Sequence, residues 1–222
     1  MSETTPPAEY RNSPYFGLDY YKERFGAWFF GRDTEGSKII TNLRAARLTL
    51  LHAESGVGKS SLLRAGVAWR MGRLADDSLA RRGTPRFVPV VFSSWKDDPV
   101  LDLTGTIHRA SGHYLAGRPQ PELPTDRLHA AIGTAADAMN ASLLIMLDQF
   151  EEYFLYRSRE PVPERFADEL ADCINRPDLR ANFLIAIRED AYASLGDLFK
   201  GRIANVYGNY LHIDHLDRVS AE

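Results

Sequence analysis

Eight residues constrain this chain more than any others: Ala53-Glu54-Ser55-Gly56-Val57-Gly58-Lys59-Ser60. They match the Walker A spacing, with alanine where the commonest form has its first glycine. LTLLH supplies an apolar strand before them and SSLLRAGVAWRM a helix after them, which is the placement a phosphate loop requires. Gly56 and Gly58 let the backbone curl so that successive N–H groups converge on phosphate oxygens, and the helix N-terminus adds partial positive charge there. Lys59 is then expected to reach the β and γ phosphates and the Ser60 hydroxyl to ligate Mg²⁺. The predicted nucleotide-contacting stretch is Ser55, Gly56, Val57, Gly58, Lys59, Ser60 and Ser61, the last reading as a helix residue and not a metal ligand. The rival reading is an ordinary strand-turn-helix whose glycines serve only the turn. Lysine is scarce, confined to Lys22, Lys38, Lys59, Lys96 and Lys200, so finding one where a compact ammonium is wanted carries information.

A second acidic site follows the apolar run LLIML. Asp148 emerges at the carboxyl end of a strand buried on both faces, where open α/β sheets bind their ligands, and this is the Walker B position for holding Mg²⁺. Glu151 and Glu152 lie three and four residues on, close enough to orient or deprotonate an attacking water. Both offsets share a helical face, so the spacing does not separate the two; acids complementing the dipole of the next helix are the simpler alternative. Guanine recognition fits poorly, because position 151 is Glu where a glycine would be wanted, and adenine is favoured. FLIAI leads to Arg188 at a strand end, placed to sense a γ phosphate or to pair with a neighbouring acid.

Asp33 or Thr34 is expected to cap a helix carrying Ile39, Ile40 and Leu43. Further helices are expected near 59–72, 98–117, 126–139 and 164–174. Strands are expected at LTLLH, FVPVVF, LLIML and FLIAI, with a weaker one near 207–213. This alternation predicts an α/β fold with a mainly parallel sheet between helical layers. Residues 1–13 read as a disordered tail, and 14–222 as one domain.

Composition narrows the function classes. The charge balance of 27 basic against 30 acidic side chains gives −3, which disfavours a nucleic-acid or anionic-membrane binder. Cys173 is the lone cysteine, so no disulfide framework or multi-thiolate metal site is expected. The six histidines have no metal-ligand spacing with cysteine and are assigned no site. The first residues show no basic start followed by an apolar run, and no stretch of about 18 consecutive apolar residues occurs, so neither secretion nor membrane insertion is expected and a cytoplasmic location is.

Five blocks together resemble the STAND class of signal-transducing P-loop ATPases, most closely the bacterial novel STAND group: SPYFGL, FFGRDTE, AESGVGKSSLLRAG, LLIMLDQFEEYF and FLIAIRED. The resemblance implies a P-loop NTPase three-layer sandwich with strand order 5-1-4-3-2. It also implies that Phe30, Gly31 and Arg32 line an adenine pocket. It further implies an ATP/ADP switch using Mg²⁺, homo-oligomerisation on activation, and effector or sensor regions elsewhere. A winged-helix region would begin about where this sequence ends, at Glu222. Alternatives are a nucleic-acid-loading ATPase resembling replication initiators, a small-molecule phosphotransferase, and a binding module without turnover.

Overall fold

The structure is a computed structural model that describes residues 31–115, 117–157 and 165–214. The expected tail, the SPYFGL block, Phe30 and the residues after Asp214 lie outside the described residues.

Five strands, β1 (Leu48–Ala53), β2 (Phe87–Phe92), β3 (Ser142–Leu147), β4 (Ala181–Arg188) and β5 (Tyr210–His212), form one sheet in the order β2-β3-β4-β1-β5. Every neighbouring pair is parallel. This is the order 5-1-4-3-2 read from the other edge, and the arginine-bearing strand β4 separates the strands of the two motifs.

The apolar runs are continuous because both faces of the sheet are covered. Leu143, Ile145 and Leu147 of β3, with Phe183, Ile185 and Ile187 of β4, pack into one core with helices α4 (Pro99–Tyr114), α5 (Leu128–Met139) and α7 (Arg165–Asn175). The alternate residues Leu144, Met146, Leu184 and Ala186 join Leu51 and Ala53 in a second core, against α1 (Asp33–Ala45) and the helix that follows the phosphate loop. Fully burying each of the leucine, isoleucine, methionine and phenylalanine side chains among them contributes about 1.5–3 kcal/mol.

Two boundaries differ from expectation. Asp33 is the first residue of α1 and does not cap it; Arg32 holds the cap position without a side-chain cap bond. The Asp33 carboxylate pairs instead with Arg70. The helix expected at 59–72 runs ten residues further, through α2 (Lys59–Ser61), a π-helical segment (Leu62–Ala68) and α3 (Trp69–Arg82). It stops at Gly83, whose φ of 72° admits the left-handed turn and whose N–H closes on the Leu79 carbonyl at 2.8 Å. Asp98 starts α4 by accepting from the N–H groups of Val100 and Leu101, with Pro99 in the first turn. A short α6 (Glu151–Arg157) follows β3 directly; a 3-10 turn (Glu189–Ala191) and α8 (Ser194–Leu198), which the periodicity did not predict, follow β4.

Candidate phosphate-binding site

The loop between β1 and α2 turns through two glycines with positive φ, 84° at Gly56 and 89° at Gly58. A Cβ added at either would meet nothing within 4 Å, so open space adjoins both glycines. Gly58 is the N-terminal cap of α2, and its carbonyl accepts from Leu62 N–H at 2.9 Å. Val57 is buried in the second core and anchors the loop from beneath, while Ser55 and Gly56 are exposed. Ser61 is helical, the third residue of α2.

Lys59 is half-buried and donates from Nζ to the carbonyls of Ala53 and Glu54, both at 2.9 Å. Its ammonium is thereby held at the mouth of the loop. Burial lowers its pKa, and the nearby carboxylates of Glu151 and Asp148 pull it back up.

Ser60 Oγ donates to Asp148 Oδ1 at 3.0 Å, joining the first turn after the loop to the end of β3. Asp148 is 1% exposed, and burial raises its pKa against the opposing pull of Arg64 and the Ser60 hydrogen bond. Arg64 Nε of the π-helical segment lies 3.7 Å from Asp148 Oδ2, and Arg64 Nη2 donates to Ser93 Oγ at 2.8 Å. Asp148 Oδ2 itself is buried and accepts no hydrogen bond among the described residues. A buried carboxylate oxygen of that kind, beside a serine hydroxyl, is an oxygen-donor set suited to Mg²⁺.

The backbone at Asp148 is fixed at both its polar groups. Its N–H bonds the Phe92 carbonyl at 2.8 Å, and its carbonyl accepts from Trp95 Nε1 at 2.8 Å. Trp95 is fully buried, packed edge-on against Phe92, Phe150, Tyr153 and Phe166. Gln149, with φ of 56°, then turns the chain sharply out of β3 into α6. Arg64, Trp95 and Gln149 were missed by sequence reasoning. Only Trp95 had a signal there, as one bulky aromatic in the polar segment SSWKDDP.

Glu151 and Glu152 open α6. Glu151 Oε2 accepts from the backbone N–H of Arg188 at 3.2 Å, which pins that carboxylate to the end of β4. Burial raises the pKa of Glu152, helped by the charges of Glu151 and Asp148. The Arg188 guanidinium forms a two-point pair with Asp190, at 3.1 and 2.7 Å, so the alternative of a neighbouring acid is the arrangement present. Gly31 has φ of 86°, and Arg32 is buried, donating from Nη2 to the carbonyls of Val57 and Asp214, both at 3.0 Å. Arg32 thus braces the phosphate loop against the chain beyond β5. Phe30, the third residue expected at the adenine pocket, is not among the described residues.

The family profile described as Novel STAND NTPase 1 matches residues 14–215. The chain belongs to that family. Its STAND module is similar in fold to the ORC2 protein of Aeropyrum pernix in ADPNP–ADP complexes, at 15% identity and a TM-score of 0.55, over 91% of this chain and 50% of that one. It is likewise similar to a Walker-type ATPase of Pyrococcus abyssi, at 18% identity and a TM-score of 0.58, over 92% of this chain and 59% of that one. The ORC1 protein of Aeropyrum pernix in complex with DNA matches at 14% identity and a TM-score of 0.54, over 84% and 46%. The STAND module thus spans about half the length of the structures it matches. No curated protein matches it. Among its described residues, no helix is long and apolar enough to cross a membrane.

Proposed function

We propose that this STAND module is an ATP-hydrolysing switch that alternates between ADP and ATP states. Its output is a change of shape and homo-oligomerisation passed to effector or sensor regions, in the service of defence or stress sensing. The observation that carries the reading is the Ser60–Asp148 pair beside an open glycine loop with a lysine at its mouth.

Ser60 and Asp148 would hold Mg²⁺, and a bound Mg²⁺ supplies positive charge that neutralises the phosphates. Lys59 exchanges its two carbonyl partners for phosphate oxygens and adds a second cationic contact. Glu151, held by the Arg188 N–H, orients the attacking water and takes its proton on a carboxylate oxygen. Arg188 swings from Asp190 to the γ phosphate, which links nucleotide state to the end of β4. Arg32 carries the state of the loop to the segment after β5.

A fold shared with a DNA-bound ORC1 protein raises nucleic-acid loading as a second reading. The net charge of −3 gives this module no general attraction to a polyanion, and the switch reading stands first. Calorimetry with ATP, ADP and GTP in Mg²⁺ tests the assignment. Both adenine nucleotides are expected to bind, with GTP at least about tenfold weaker, a difference of ~1.4 kcal/mol. GTP binding as tight as ATP would overturn the adenine preference.

A further inference from the structure

The sheet edge at β5 carries a second set of donor atoms that the phosphate site does not use. His52 of β1, His212 of β5 and Glu189, the first residue after β4, each offer one ligand atom, and these atoms lie within 4.8 Å of one another. Strand register brings them together. His52 and His212 are cross-strand partners in the parallel β1–β5 pair, and Arg188, which precedes Glu189, is the partner of Ala53. Because side chains alternate along a strand, Leu51 and Ala53 enter the core shared with α1, and His52 emerges on the opposite face. There its ring packs on Tyr192, with centroids 4.4 Å apart, and on His212 at 4.8 Å. The three ligand residues are distinct from Ser60 and Asp148, and the helix that begins at Lys59 packs in the α1 core, on the face of the sheet that His52 turns away from.

Two features prepare these side chains to hold an ion. His212 Nδ1 lies 3.3 Å from Asp214 Oδ1, while Nε2 faces Glu189 Oε2 at 3.9 Å. A carboxylate behind one imidazole nitrogen holds the proton there and leaves the other nitrogen's lone pair directed forward, which is how metal-ligating histidines are oriented. The second feature is His52 Nδ1, which is buried and has no hydrogen-bond partner among the described residues, a desolvated polar atom without compensation.

We propose that His52, Glu189 and His212 form a site for a borderline divalent transition metal of the Zn²⁺ kind, bound through two imidazole nitrogens and one carboxylate oxygen with a further position open to solvent. That donor set suits Zn²⁺ at about 2.0–2.2 Å, whereas Mg²⁺ takes oxygen donors. Bonds of that length hold neighbouring ligand atoms roughly 3–4 Å apart, so the set must contract by about an ångström. Both histidines have strand backbones, but the side chains of Glu189 and His212 are exposed and have room to reorient toward His52. An ion there would tie together the end of β1 that feeds the phosphate loop, the end of β4 that carries Arg188, and the end of β5 next to the Asp214 carbonyl that Arg32 grips.

The test uses tag-free, chelator-treated protein without nucleotide, titrated with Zn²⁺ by calorimetry and with Co²⁺ by visible absorption. One equivalent is expected to bind, with Co²⁺ bands characteristic of a low-coordinate site. His212→Asn and Glu189→Gln, whose folding is checked by circular dichroism, should each weaken binding at least about tenfold, and His113→Asn should not. Absence of saturable binding, unchanged affinity in both ligand variants, or displacement of Co²⁺ by millimolar Mg²⁺ would each overturn the assignment.

Discussion

Ser60 Oγ and Asp148 Oδ1 meet at 3.0 Å although 88 positions separate them in the chain, and although the strands that precede them, β1 and β3, are not neighbours in the sheet. β4 lies between them, so the contact bridges over a whole strand at the carboxyl edge of the sheet. Two hard oxygens are brought together there, and one of them is a carboxylate kept out of water. Such a carboxylate costs stability when ionised, and its retention makes sense as a ligand site.

Asp148→Asn should therefore separate stability from function. Because the folded pKa of Asp148 lies above its unfolded value, the group favours the folded state below the unfolded pKa, and that benefit is lost as pH rises through the folded pKa. At neutral pH the variant is expected to melt higher than the parent, by about 2–4 °C for each kcal/mol released, and the gap should close as pH falls. Magnesium-dependent nucleotide binding should weaken at the same time. Thermal melts from pH 4 to 8, with and without Mg-ATP, check both effects; a variant that melts lower at pH 7 would contradict the first.

Glu151 and Glu152 are expected to differ. Glu151 is gripped by the Arg188 N–H and is the leading carboxylate influence on Lys59, whereas Glu152 does not figure among the charges acting on Lys59. Glu151→Gln should keep ATP affinity and slow single-turnover hydrolysis by about 10²-fold or more, while Glu152→Gln stays within a few-fold of the parent. The reverse ranking in a single-turnover assay would move the base to Glu152.

Gly58→Ala tests the loop backbone without a steric clash. A Cβ there meets nothing within 4 Å, so the penalty comes from the left-handed φ of 89° alone, about 1–2 kcal/mol. The melting temperature should drop by about 2–8 °C, and ATP affinity should fall with it as the N–H groups reorient. A variant with unchanged melting and unchanged affinity would show that this φ is not needed.

Much of this architecture was legible because its signals are local. The apolar runs of β3 and β4 announced a two-sided sheet, and Gly56, Gly58 and Lys59 announced the loop between strand and helix. What stayed hidden depends on residues distant in sequence. Arg64 beside Asp148 and Trp95 beneath it come from other elements, and nothing in their own neighbourhoods points to a carboxylate. Gln149 adopts a left-handed φ without being glycine or asparagine, so the turn after β3 had no turn residue to mark it. Asp33 looked like a cap by type, yet its carboxylate is taken by Arg70. His52 and His212 are 160 residues apart and become neighbours only through the β1–β5 register.

The central claim is that the β1–α2 loop binds a nucleoside triphosphate through Lys59. Lys59 donates to the carbonyls of Ala53 and Glu54 and belongs to neither core, so Lys59→Ala should keep the parent's circular dichroism and stay close to its melting temperature. Losing a charge-assisted contact to the phosphates should weaken Mg-ATP binding by about a hundredfold or more. The direct measurement is calorimetric titration of Mg-ATP into the parent and into Lys59→Ala at equal concentration. The account predicts saturable binding by the parent and little or none by the folded variant; equal affinity in the two would contradict it.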